Sequence, residues 1–278
     1  MKTKFTNQIF FIFIVIFFQV STLTGLMGNP PTFIDEYKII DSTRFMVRYS
    51  FEIVPDTAKP DDIDSDIQIL EIGHQTSKSY SYGLYKHDSI ATANKHADAV
   101  PGFRGRVPPV EVFKNFPIGK NSIVHKSPLS GPIFLYEDEL DIQWQILPER
   151  KQISGYSCQK AIADFRGRTW EAWFTNEIPV SDGPWKFQGL PGLILEVTDS
   201  QNHFRFICVG LSREKVPIKK WKWNYEKTTR EKANEYLIRC HERVYECAQN
   251  LGVSIRIPGR TLEEAKKIST PYNPLELE

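Results

Sequence analysis

The sequence lacks a charge surplus of either sign: 35 Lys and Arg stand against 34 Asp and Glu, a formal net charge of +1. A binder of phosphate backbones needs a clear basic excess or stripe, so nucleic acid is not an expected partner. The chain also lacks a Gly-x-Ser-x-Gly nucleophile elbow, a P-loop and a dinucleotide fingerprint. Its six histidines form no His-x-x-x-His pair, and its four cysteines form no Cys-x-x-Cys. Zinc sites usually show such spacing, so these histidines are read as solvated or core residues. Asp62, Asp64 and Asp66 alternate as at the start of a calcium loop. That loop needs Gly at its sixth position and Glu at its twelfth, where Ile67 and Gly73 stand instead. A solvated acidic loop is the simpler reading. No catalytic residue, metal site or cofactor is therefore assigned.

Long apolar runs are scarce too. One spans Ile9 to Phe18, preceded by Lys2 and Lys4 and followed by polar and small residues up to Gly28. Ten apolar residues at ~1.5 Å each cross only about half of a bilayer core. Residues 1–24 thus read as a signal peptide, with the cut placed loosely between 20 and 28. No cysteine follows to carry a lipid anchor. Export to the periplasm or cell envelope is the expectation. Losing two lysines leaves 33 basic residues against 34 acidic ones, a mature charge of −1.

An exported chain can oxidise Cys158, Cys208, Cys240 and Cys247. Cys240 and Cys247 are seven residues apart on an expected helix, about 10 Å along its axis. Bridged cysteines need Cα atoms within about 7 Å, so this pair is expected to stay reduced. Cys158 and Cys208 remain a candidate pair if their strands are neighbours.

What the sequence does hold is a series of strands. "RFMVRYSFEIV" (44–54), "DIQILEIG", "SKSYSYGLYKHDS", "EVFKNF", "SIVHKS", "IFLYEDEL", "QWQILPE" and "YSCQKAIADF" follow one another with Pro, Gly and Asp breaks. Gly167 turns the chain into "RTWEAWFTNEI", and "LILEV" and "HFRFICVG" form a second hairpin across "TDSQN". Residues 91–110, with three prolines and two glycines, read as a long surface loop or lid. All six tryptophans lie between 144 and 223. Strand parity puts Trp170 and Trp173 on opposite faces, which allows one in the core and one exposed. Ordinary core is the preferred reading of this aromatic stretch over a platform for ligand.

After residue 225 the pattern changes. Thr228 and Glu231 make a capping box. Ala233, Leu237, Cys240, Val244, Cys247 or Ala248, and Leu251 recur at helical spacing up to Gly252. "TLEEAKK" is a further short helix, and "PYNPLELE" an extended tail. No interior linker divides the chain, so 25–278 is read as one domain. The expected class is mainly β (α+β): a single curved antiparallel sheet, half-barrel-like, covered by one C-terminal amphipathic helix.

Residues 182–197, "DGPWKFQGLPGLILEV", punctuate this pattern. Pro191 and Gly192 suit the two central positions of a type II turn, with φ > 0 at the glycine. A phosphate cradle is excluded because a strand follows, not a helix N-terminus. Gly189, Leu190, Pro191, Gly192, Leu193 and Ile194 are therefore assigned to architecture: a tight corner that delivers a buried strand.

The block from Gly155 to Val197 and "LEIGHQTSKSYSYGLYKHDS", with the closing "YNPLELE", resembles the GLPGLI family, exported proteins of Bacteroidetes named after the motif at 189–194. Ser79 stands where that family usually has an aromatic residue. The resemblance implies compartment and lineage, and no reaction. The expected role is a non-catalytic envelope protein that binds an apolar ligand or a polypeptide on its curved sheet. A second reading is a hydrolase-type enzyme using Cys158, Arg166, Arg168, Glu177 and Asp182. A third is a structural partner of an outer-membrane complex.

Overall fold

The computed structural model describes residues 29–97, 102–103, 105–255 and 259–278. The expected signal peptide and part of the 91–110 loop lie outside them. Fourteen strands dominate the described residues. β2 (Phe45–Ile53), β3 (Asp64–Ile72), β4 (Ser77–Ser81), β5 (Val110–Lys114), β6 (Asn121–Lys126) and β7 (Ile133–Asp138) pair in sequence order as one antiparallel wing. β8 (Gln145–Ile153), β9 (Tyr156–Phe165), β10 (Arg168–Thr175), β11 (Leu193–Asp199) and β12 (Phe204–Ser212) form a second such wing. A single long-range pairing, β2 with β12, joins the two.

Local chemistry explains the meanders. Ser154–Gly155 and Arg166–Gly167 both have positive φ at their two central residues, the geometry that matches hairpin twist. β2 alternates strictly: Val47, Tyr49, Phe51 and Ile53 are buried on what we call the inner face. Met46, Arg48 and Glu52 take the outer face. The edges are blunted. β8 carries Pro148 and a register break between Ile146 and Arg150, and the opposite edge, β14 (Tyr225–Lys227), has three residues.

The fold corrects the expected single antiparallel sheet in two ways. β14 joins β7 in parallel, so the twelve-stranded sheet is mixed, and it stays open between β14 and β8. A separate ribbon, β1 (Tyr37–Ser42) with β13 (Pro217–Trp221), crosses the outer face. Lys78 of β4 donates to the Lys219 carbonyl of this ribbon, and Trp221 donates to Glu111 of β5.

Helices depart further from expectation. "SKSYSYGLYKHDS" is not one strand: β4 ends at Ser81, and α1 (Tyr82–Ala93) begins. Ser81 Oγ accepts from Leu84 N as N-cap, and Asp66 holds both Ser81 Oγ and Gly83 N. The tyrosine alternation concealed a helical set, Leu84, Asp88 and Ala91, which is what α1 buries. The C-terminal helix is two, α2 (Arg230–Glu242) and α3 (Val244–Asn250), broken at Arg243 with φ −132° and ψ 60°. Its cap is Thr229, not Thr228. The break brings Cys240 and Cys247 to a Cα separation of 5.1 Å, and they form a disulfide. The exclusion of that pair assumed an unbroken axis. Cys158 and Cys208 are free and buried, with β10 and β11 between their strands in the sheet. The short helix α4 (Leu262–Ala265) forms with a full Thr261–Glu264 capping box.

The inner face is packed by the chain itself. Residues 176–192 fold over it, and Phe187 meets Trp170 at 4.7 Å and Trp185 at 5.1 Å between ring centres. Phe204 and Phe206 of β12 close this aromatic core. Trp173 is buried as well, so neither tryptophan of β10 is exposed; Lys151 and Lys160 cover its ring.

Candidate functional site

The 189–194 motif makes a corner, but not by the expected turn. Gly189 has φ +97°, whereas Gly192 is not in the positive-φ region. Gly192 is required for a different reason: a Cβ there would stand 2.1 Å from the Thr175 carbonyl oxygen. The chain passes so close to the end of β10 that no side chain fits. Leu190, Leu193 and Ile194 are fully buried beyond it.

One buried lysine organises this corner. Lys114, at the end of β5, donates to Asp182 Oδ1 at 2.6 Å and to the carbonyls of Gly183 and Phe187 at 2.7 Å each. Burial pushes its ammonium below the usual range, and the Asp182 carboxylate works against that. Ser79 belongs to the same contact. Its Oγ accepts from Trp185 N, so a hydroxyl secures the segment here.

The five residues of the hydrolase reading are held in separate networks. Cys158 is buried, its thiol raised to about 11 chiefly by burial. Glu177 accepts from Ser157 N beside it. Asp182 serves Lys114. Arg166 pairs with Asp138 at 2.5 Å. Arg168 pairs with Asp199 at 3.2 Å and donates to Asn273 Oδ1 and the Pro274 carbonyl. Both arginines thus bind elements of the framework, and Arg168 fastens the C-terminal tail.

Among the described residues the inner face carries a cavity of about 680 Å³. Ile53, Val110 and Tyr136 come from the sheet, Trp185 from the corner, Leu237 from α2 and Leu275 from the tail. Two imidazoles also line it. His125, an inward residue of β6, is nine-tenths buried and makes no hydrogen bond to the described residues. Burial, with the Lys186 and His241 charges, lowers it to about 3, so it is neutral at pH 7. His241 stacks on Tyr272 at 4.2 Å, contacts Thr270 Oγ1 at 3.0 Å and is lowered to about 4 by burial. Sequence reasoning missed Lys114 and His125. The available signal was parity: both are polar residues at inward positions of short apolar strands.

A family model described as a protein of unknown function (Porph_ging) matches residues 166–196, from the β9–β10 turn through the corner into β11. No curated protein matches. Among solved structures, PNGF-II in its P21 crystal form is similar at a TM-score of 0.47 and 16% identity, over 72% of this chain and 34% of that one. The C2 form gives 0.45 and 16%, over 70% and 32%. The chain spans about a third of the length of these structures.

Proposed function

We propose that this chain is an exported, non-catalytic envelope protein of the GLPGLI type that binds a small apolar ligand with one polar end in the inner cavity. The observation that carries this reading is the cavity itself: about 680 Å³, with apolar side chains such as Ile53, Trp185 and Leu237 in a wall that also holds charged residues, and with one buried, unpartnered His125. That volume is within the ordinary range for small-molecule sites, ~300–1,000 Å³. A neutral imidazole offers one donor and one acceptor to a ligand's polar end. A polypeptide would enter only by single side chains. The family assignment draws on the match at 166–196 and on the longer sequence resemblance around it. Export draws on the 9–18 apolar run and on the Cys240–Cys247 disulfide, which suits an oxidising compartment.

The test is to fill the cavity. Leu237→Trp adds volume from α2 into the space. The full mature chain and this variant are titrated with the neutral probe N-phenyl-1-naphthylamine, and both are melted. The expected result is saturable binding by the parent, a loss of about tenfold or more in the variant, and a melting temperature that holds. Equal probe affinity in both proteins would refute the reading. So would a strongly destabilised variant, because overpacking a filled core costs about 1–3 kcal/mol.

A further inference from the structure

The outer face carries a second cavity, of about 550 Å³, between β2–β4, α1 and the β1–β13 ribbon. It shares no lining residue with the inner one. Part of its floor is fixed by the fold. Lys78 is buried, 3.1 Å from Glu111, with Trp221 4.7 Å and Tyr80 4.8 Å from its ammonium. The Tyr80 hydroxyl donates to Glu71 Oε1 at 3.0 Å. Burial, with Glu111 nearby, holds the Glu71 carboxyl above its usual range.

Other lining groups are free of the framework. Arg48 is half-buried, faces this cavity, and makes no hydrogen bond or ion pair with a described residue. A guanidinium without a protein partner is shaped to take a planar anion through two parallel hydrogen bonds. Tyr82 and Tyr85 leave 44% and 36% of their surface exposed, with ring centres 6.3 Å apart. Tyr85 in turn stacks at 20° to the Trp221 ring. The cavity therefore joins an unpaired guanidinium, two exposed tyrosine rings tilted by 32° to each other, and acceptors at Glu71 and Glu214.

We propose that this outer cavity binds a sugar ring bearing a carboxylate, a uronic-acid type of unit. The carboxylate pairs with Arg48. The C–H face of the ring lies on Tyr82 and Tyr85, and its hydroxyls donate to Glu71 and Glu214. A plain aromatic acid would satisfy the guanidinium and the rings but bring no donor to Glu214 or to the Glu71 oxygen that the Tyr80 hydroxyl leaves open. A neutral sugar would leave Arg48 without its anion. Lys78 is already matched by Glu111 at 3.1 Å, whereas Arg48 has no counter-ion among the described residues and so favours an anion.

The test uses the full mature chain, with calorimetric titration of digalacturonate, neutral galactobiose and benzoate. Digalacturonate is expected to bind saturably, and the other two about ten- to hundredfold more weakly, the worth of hydrogen bonds to a charged group. Arg48→Gln should lose a similar factor for digalacturonate while melting like the parent, since Arg48 holds nothing in the fold. Tyr85→Ala should weaken it about tenfold. Leu237→Trp should leave it unchanged, which separates this site from the inner cavity. The proposal is overturned if digalacturonate shows no saturation up to about 10 mM. It is equally overturned if Arg48→Gln binds as tightly as the parent, or if benzoate or galactobiose matches digalacturonate.

Discussion

Lys114→Met tests the corner at its centre. The ammonium has three acceptors in the native chain, all within 2.7 Å, and its side chain is 4% exposed. Methionine keeps the length and the apolar stem. It leaves the Asp182 carboxylate, 9% exposed, with the Gly183 N–H as its remaining hydrogen bond among the described residues. It also strips the Gly183 and Phe187 carbonyls of their shared donor. Breaking a buried pair from one side costs about 3–5 kcal/mol. A domain's whole stability is about 5–15 kcal/mol, so the variant should be near the edge of folding. Urea denaturation followed by tryptophan fluorescence measures the loss by linear extrapolation. Adding Asp182→Asn removes the stranded charge, and the double variant should be more stable than Lys114→Met alone by at least about 1 kcal/mol. A loss below about 1 kcal/mol, or strictly additive single and double variants, would refute the role given to Lys114.

Gly192→Ala should destabilise by about 1–3 kcal/mol or more, because its Cβ meets the Thr175 carbonyl at 2.1 Å; an unchanged melting temperature would contradict that close approach. Stability should also fall in mild acid. His125 and His241 have folded values of about 3 and about 4, below the unfolded value near 6.5, so the unfolded chain binds more protons between these limits. Their contribution is present above pH ~6.5 and is lost as pH falls toward 4, at up to about 1.4 kcal/mol per pH unit for each. Melting curves at pH 7 and 5 for the parent and His125→Gln should show a smaller drop in the variant. An equal drop would mean that His125 already titrates normally.

Most strands of the large sheet and two of its hairpins were legible in the sequence because their causes are local, while β1, β13 and β14 were not. Gly167 sits in a tight turn, β2 alternates strictly, and "TDSQN" separates two apolar runs. The helix over Tyr82–Ala93 was not legible, since "SYSYGLYKHDS" satisfies a period of two as readily as helical spacing over so few residues. What decides it is Asp66, fifteen residues upstream, which secures the Ser81 cap from another strand. The Cys240–Cys247 bridge was hidden for a related reason. Helical spacing continues through Arg243, yet the backbone there leaves the helix. Neither cavity could be read from the sequence. Each is assembled from segments far apart in the chain, such as Ile53, His125, Leu237 and Leu275.

The family-like segments turn out to be parts of one contact. The turn at Arg166–Gly167, the corner at 182–194 and the tail at 271–278 are distant in sequence, yet charge ties them together. Arg168 holds Asn273 and Pro274, the Arg166 carbonyl accepts from Leu277 N, and Gly167 leaves room for the Leu277 side chain. Lys186, with no exposed surface, pairs with Asp138 and with Glu276 of the tail. Burying so many charges is expensive and adds little net stability over apolar packing of the same shape. Such pairs do impose geometry, because each charge accepts only a matching partner. In this chain the pairs therefore fix how the tail sits against the corner. The inner cavity lies beside this lock, with Trp185 of the corner and Leu275 and Glu276 of the tail in its wall.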